Sequence, residues 1–439
     1  MPGVDERTCA GVDLVALRDA ACSAAVKGEL FLSAERRLNL ELEARTGAFT
    51  TSTGESLWAS ARVQRVDGVG MSSRHVSAPG ELSSLLEGAA AAAPMAGALP
   101  EPLAPGAASS PVALPTLSRV RAQAWAARVS STVVPRTGIV QALVLSQSET
   151  WTAHVLAGAS RAHVESREEV FVRCETERGA VVDAVALGAG QGAHALEALR
   201  SRLAEAFDAL DGPVDAVDPA LPLVLRPAVA APLVAGLVWM LRGDVAAATP
   251  ALARALGRKL FPSVLGLEDD AAHPQGTRRR ALDDEGMPMH PVRLVDEGRL
   301  SGFLHTASTA PRLGGVSNGR ALRSMLAGPT PNALNPFVMP RADPLPAHYT
   351  ELVARVETFT TMPRPGTVTL VAGGWEVRDG RRVRRIAPVE LELPVLETFR
   401  ALRGVGTDLT FFPTAEGCGT PTLVFPPLLS GAQGGQAAR

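Results

Sequence analysis

Lysine is almost missing from this 439-residue chain. Lys27 and Lys259 are the only two, so nearly all of its 43 basic residues are arginine. With the abundance of alanine, this reads as a genomic base-composition bias rather than a functional signal. Tyrosine occurs once, cysteine 4 times and histidine 8 times. Cys9, Cys22, Cys174 and Cys418 lie far apart with no CxxC pair. That excludes a disulfide framework and a zinc-finger array, and it points to a reducing cytoplasm. No charge of one sign dominates. The 45 acidic residues leave a formal net charge of −2, which excludes a strongly basic nucleic-acid binder. Hydrophobic residues, at 46%, are too many for a disordered chain. The length fits two or three domains.

Residues 1–14 carry Asp5, Glu6 and Asp13 and no apolar core, unlike a secretory signal. The longest apolar run, Ala220 to Leu241, raises the membrane question. Arg226 and Pro222, Pro227 and Pro232 interrupt it, so it reads as a buried strand followed by a buried helix from Pro227.

The pattern predicts an α+β fold. N-terminal and middle α/β-type units with antiparallel sheets precede a larger, β-rich C-terminal domain. The expected boundaries are 1–93, an Ala/Pro-rich linker at 94–115, 116–215, 216–430 and a flexible tail at 431–439. In the first unit, helices at 12–26 and 79–93 flank strands at 37–43 and 57–66, with Ser52-Thr53-Gly54-Glu55 as a turn. The middle unit has a helix at 117–129, paired strands at 138–149 and 151–158, another pair at 168–177 and 180–187, and a helix at 193–210. The third has a hairpin around Asp296-Glu297-Gly298, strands at 355–360, 367–370 and 376–378, a turn at Asp379-Gly380, and a strand at 381–388. A short helix at 394–402 and strands at 407–412 and 420–425 close it.

Chemical motifs are sparse. No HExxH occurs, and the nearest histidines, His154 and His163, are nine residues apart, off a common helical face. His290 and His305 sit on opposite arms of the hairpin, where two histidines alone do not fill a zinc shell. Gly315-Val316-Ser317-Asn318-Gly319 matches GxSxG but lacks the strand that a nucleophile elbow needs, and reads as a loop. Gly188 to Ala193 matches GxGxxA, but the strand before it belongs to a hairpin, so it reads as a turn and helix start. The clusters Asp283-Asp284-Glu285 and Glu268-Asp269-Asp270 read as solvated turns or arginine partners rather than cation sites. Arg381, Arg382, Arg384 and Arg385 read as an exposed strand face, without the interleaved aromatics of a nucleic-acid surface.

Taken in order, these weak motifs form a pattern. The stretch GTRRRALDDEGMPMHPVRLVDEGRLSGFL, residues 276–304, resembles the "DDEG, then hairpin" passage of the TldD/PmbA (TldD/TldE) family. Leu313 to Ala321 and Asn332 to Pro336 resemble its small-residue loops. The run from Gly404 to Leu423 resembles its closing "G-D-L … G-x-PTL" segment.

One branch of that family carries HExxxH on the helix after the apolar strand, plus a downstream cysteine, and binds zinc as a peptidase. The other lacks these ligands and pairs with the first. By the register of Leu241-x-Gly243-Asp244, the two histidine positions here hold Val234 and Trp239, and the glutamate position holds Ala235. None of the three ligates zinc or activates water. Cys418 lies later than the ligand cysteine.

The resemblance therefore implies a non-catalytic, TldE/PmbA-type subunit that binds no cofactor and has no catalytic residues of its own. It implies a TldD-type catalytic partner that carries the zinc, and a cytoplasmic heterodimer acting on peptides, leader segments of modified natural-product peptides among them. It implies no nucleic-acid or membrane partner. Asp283, Asp284, Glu285, Gly286, Ser317, Asn318 and Gly319 are the candidate peptide-groove or family-loop residues. Two alternatives stay open: an independent hydrolase using Ser317 or the acidic cluster, and a homodimeric peptide-binding scaffold.

Overall fold

The computed structural model describes residues 6–26, 28–42, 48–101, 111–117, 119–133, 139–187, 192–357 and 366–429. Its fold is α+β, as the sequence pattern predicts. Four helices, α1 (Leu14–Ala24), α2 (Glu81–Ala91), α3 (Arg119–Val133) and α4 (Gly192–Leu210), precede a fifth, α5 (Pro227–Met240).

A 12-stranded, mostly antiparallel sheet is the frame. Strand Glu29–Leu42 lies between Phe49–Arg65 and Ile139–Leu156. The sheet continues through Ala159–Thr176 and Gly179–Ala186 to His348–Val356 and Leu223–Leu225. Strands from all three expected units thus share one sheet.

Side-chain parity assigns its two faces. Leu30, Leu32 and Ala34 pack with α1 and α2, while Leu38 and Leu40 pack with α3 and α4. Helices α1 to α4 therefore cover one face. At His348–Val356, Val353 joins the α4 core and Leu352 the α5 core, so α5 lies on the opposite face. There the C-terminal segment adds a 6-stranded sheet that includes Val292–Asp296, Leu267–Asp269, Pro336–Val338 and Cys418–Thr420.

Several strands are longer than their local sequence announces. The stretches 138–149 and 151–158 do not pair with each other, because Ile139–Leu156 is a single 18-residue strand. Leu143, Leu145, Trp151, Ala153 and Val155 are buried on one parity throughout, so nothing interrupts the extended chain. The turn expected at Ser52 to Glu55 is strand interior: Glu55 pairs with Arg36 and Gly54 with Arg37 across the ladder. The strand expected at 37–43 begins at Glu29. Thr367–Arg378 is one strand with irregularities at Ala372/Gly374 and Glu376/Val377, not two strands.

The two expected tight turns form as left-handed pairs, Glu297 (φ 45°) with Gly298 (φ 80°) and Asp379 (φ 47°) with Gly380 (φ 74°). Much of the linker, the Gly188–Gln191 part of the GxGxxA match and the tail from 430 lie outside the described residues. No helix among the described residues is long and apolar enough to cross a membrane.

Candidate functional site

Helix α5 starts at Pro227, directly after strand Leu223–Leu225, because proline suits the first helical turn. The connecting Arg226 anchors it through Glu351, Nε to Oε1 at 2.7 Å. Val234 is fully buried among Leu233, Leu237 and Leu241, Ala235 is half-buried, and Trp239 is 41% exposed. The helix holds no His, Cys, Asp or Glu. Cys418 packs into the same core, and burial, then Glu416 and Asp269, push its thiol well above the usual range. Among the described residues, no group of three His, Cys, Asp or Glu could hold a metal ion.

Of the two readings of the DDEG passage, solvated turn or arginine partner, the structure gives the second: the passage is buried and arginine-paired. Asp283, Asp284 and Glu285 are each 4% exposed or less. The reason is the opposing sheet face, which supplies the charges that the loop needs. Glu285 accepts from Arg62 Nη2 (2.8 Å) and from the Ala307 N–H (2.8 Å). Arg62 also pairs with Glu29, which in turn pairs with Arg323 and meets His154 Nε2 at 2.7 Å. Arg161 Nη1 donates to the Gly286 carbonyl at 2.6 Å. Asp284 pairs with Arg280, and Glu165 takes both Nε and Nη2 of Arg278 at 2.7 and 2.8 Å.

Burial opposes ionisation of Glu29, but Arg323 and Arg62 outweigh it and hold the carboxyl well below its ordinary range. Asp283 shifts the other way. Burial and the neighbouring Glu285 push it up to about 7, against three backbone N–H donors from Ala321, Met287 and Glu285. The other acidic cluster is also structural: Asp269 pairs with Arg320, both side chains being fully buried, and accepts from the Leu334 and Asn335 N–H groups at 2.9 and 2.8 Å.

The GxSxG segment follows a 3-10 turn, Ala310–Leu313, and the left-handed Gly314, with no strand before it. Asn318 holds this loop, accepting from the His305 N–H and donating to the Phe303 carbonyl, both at 2.8 Å. The Ser317 hydroxyl reaches the His305 carbonyl at 3.5 Å. His290 is exposed, whereas His305 is buried against Gly243.

The arginine strand is charge-paired: Arg382 with Glu351 (2.7 Å), Arg384 with Glu376, and Arg385 with Asp208 (2.7 Å). Arg382 and Arg385 also both stack on Trp375, an aromatic that reading along the strand alone did not associate with them.

Sequence reasoning missed Glu29, Arg62, Glu165 and Arg323, which are scattered over the chain, and weighed His154 only as a metal ligand. The available signal was a charge at a sheet position beside apolar neighbours, as in Glu29-Leu30-Phe31 and Ala61-Arg62-Val63.

Residues 219–429 match the family model of the PmbA/TldA metallopeptidase C-terminal domain. The C-terminal part of the chain is thus a domain of the PmbA/TldD type. A metalloprotease of Synechocystis sp. is 28% identical over 170 residues; the match spans 37% of this chain and about a third of that protein, 36%. Across nearly the whole chain, the fold is similar to TldE from Thermococcus kodakarensis, with TM-score 0.71, 17% identity, and 91% and 95% of the two chains covered. It is also similar to a putative modulator of a DNA gyrase from Thermotoga maritima, with TM-score 0.69, 15% identity, and 94% and 99% covered. The matched domain model is of a metallopeptidase type, but the donor set of α5 does not fit zinc: Val234, Ala235 and Trp239 offer no ligand atom.

Proposed function

We infer that this chain is the non-catalytic, TldE-type subunit of a heterodimeric zinc peptidase that trims or degrades peptides in the cytoplasm, leader segments of modified peptides included. The reading rests on α5, where the positions of the zinc-binding branch hold Val234, Ala235 and Trp239 inside an otherwise apolar helix. The likeness to the Thermococcus TldE fold supports it. In this reading the zinc and the water-activating glutamate belong to a TldD-type partner. This chain stabilises that partner and completes the enclosure in which an extended peptide binds, through backbone hydrogen bonds to strand edges.

Co-expression with a TldD-type subunit tests it. Stoichiometric zinc and peptidase activity are expected in the purified pair and in neither form in this chain alone. Stoichiometric zinc, or peptidase activity, in the isolated chain would overturn the reading.

A further inference from the structure

The long sheet bears a cleft of about 580 Å³ on the face that α5 covers. Small-molecule sites usually hold roughly 300–1,000 Å³. Val170 and Val172 of strand Ala159–Thr176, and Val181 of strand Gly179–Ala186, belong to the core under α3 and α4. By parity Glu169, Phe171 and Val182 point to the α5 side, where they line the cleft with Arg355. Phe171, Val182, Pro232 of α5 and Leu370 give it apolar walls.

Two charges in this cleft have no partner among the described residues. Arg355 is half-buried, and its guanidinium makes no hydrogen bond or ion pair with any of them. Its acidic neighbours are engaged elsewhere: Asp183 holds Arg202 Nε at 2.7 Å, and Glu357 holds Arg173 Nε at 2.8 Å. Glu169 is half-buried too, and its carboxylate likewise pairs with no described residue. Neither group is sealed off, since no polar atom of either side chain is buried without a partner. A bare anion would satisfy Arg355 but meet Glu169 as a like charge, and a bare cation would do the reverse. An occupant with one charge of each sign satisfies both.

Register sets the spacing of the two charges. Arg173 pairs with Val182, and Val181 pairs with Val356, so Arg355 lies two strands across from Arg173. Glu169 lies four residues back along the strand of Arg173. Two strand spacings and four residues put the Cα atoms of Glu169 and Arg355 roughly 16 Å apart. Their side chains take up part of that distance, which leaves the end-to-end span of a dipeptide or tripeptide, about 7–10 Å. We propose that this cleft binds a short peptide by both free termini, the ammonium on Glu169 and the carboxylate on Arg355, with its side chains on Phe171, Pro232 and Leu370. The demand for two opposite charges stands on the cleft itself. That a peptide carries them rests on the peptidase-subunit reading above, since short peptides with free termini are what a peptidase releases.

Titration calorimetry of the full chain without its partner tests this. The probes are leucine di- and tripeptides with free termini, their N-acetylated and C-terminally amidated forms, and free leucine. Binding of at least one free peptide is expected. Blocking either terminus should weaken it roughly tenfold or more, the size of one charge-assisted hydrogen bond. Free leucine, too short to reach both charges, should bind more weakly still. Arg355→Gln should weaken the free peptide by the same factor and leave its amide unchanged. Glu169→Gln should do so and leave the acetylated form unchanged. Neither variant has an ion pair among the described residues to lose, so both should keep the melting temperature. No heat with either free peptide, full affinity after blocking either terminus, equal binding of free leucine, or unaltered affinity in either variant would overturn the site. None of these outcomes bears on zinc in the pair, so the two readings fail separately.

Discussion

Glu29 is the residue on which most of the interlayer chemistry converges. Its carboxylate is fully buried and meets Arg62, Arg323 and His154. A buried ion pair gains little over an apolar pair, but removing one member strands the other charge. Glu29→Gln strands Arg323 and leaves Arg62 with Glu285 as its one carboxylate partner. It should lower unfolding free energy by about 3 kcal/mol or more, read from the urea midpoint. A loss under about 1 kcal/mol would mean that water already screens the cluster. At this scale, sequence identified Asp283 to Glu285 and expected arginine partners, of which the nearby Arg280 pairs with Asp284, but not the distant ones. Arg62, Glu165 and Arg323 are adjacent to it only through sheet registry and chain return, and neither is visible locally.

At the scale of elements, sequence was most informative where one local rule decides. Pro227 started α5, and Leu196, Leu199, Leu203 and Phe207 marked the buried stripe of α4. Glu297-Gly298 and Asp379-Gly380 made tight turns because glycine takes positive φ without strain. The two glycines are not equivalent. A Cβ on Gly298 would meet the Phe261 carbonyl oxygen at 2.1 Å, whereas one on Gly380 meets nothing within 4 Å. Gly298→Ala should therefore cost at least about 2 kcal/mol, and Gly380→Ala about 1 kcal/mol, in paired thermal melts. Equal losses would mean that the Phe261 strap gives way freely. Strand length was less legible. Gly54 suggested a turn, but without a positive φ it remains an ordinary ladder residue paired with Arg37.

On the scale of the whole molecule, the seam between the long sheet and the C-terminal layer is ionic, and so its stability depends on pH. Glu29 and Glu165 have folded pKa values below their ordinary value of 4.5. The unfolded chain therefore takes up their protons first, and their stabilisation is lost as pH falls below about 4.5. Asp283 acts in the opposite sense. Its pKa rises from 3.8 to about 7, so the folded state binds that proton more tightly and loses stability as pH climbs between those values. The melting temperature should rise from pH 3 to about 5, then level off or fall slightly toward 7. A flat profile between pH 3 and about 5 would show that the seam is not the acid-sensitive element.

The sequence by itself determined the α+β class, the helices and the tight turns. These follow from periodicity, φ preference and side-chain chemistry, all of which are local. Only the tertiary structure decided that strands from all three expected units join one sheet, and that the DDEG loop is buried rather than solvated. Those outcomes depend on which strand faces which loop. A carboxylate behaves as a surface group or as a buried anchor according to the cations that distant parts of the chain bring to it.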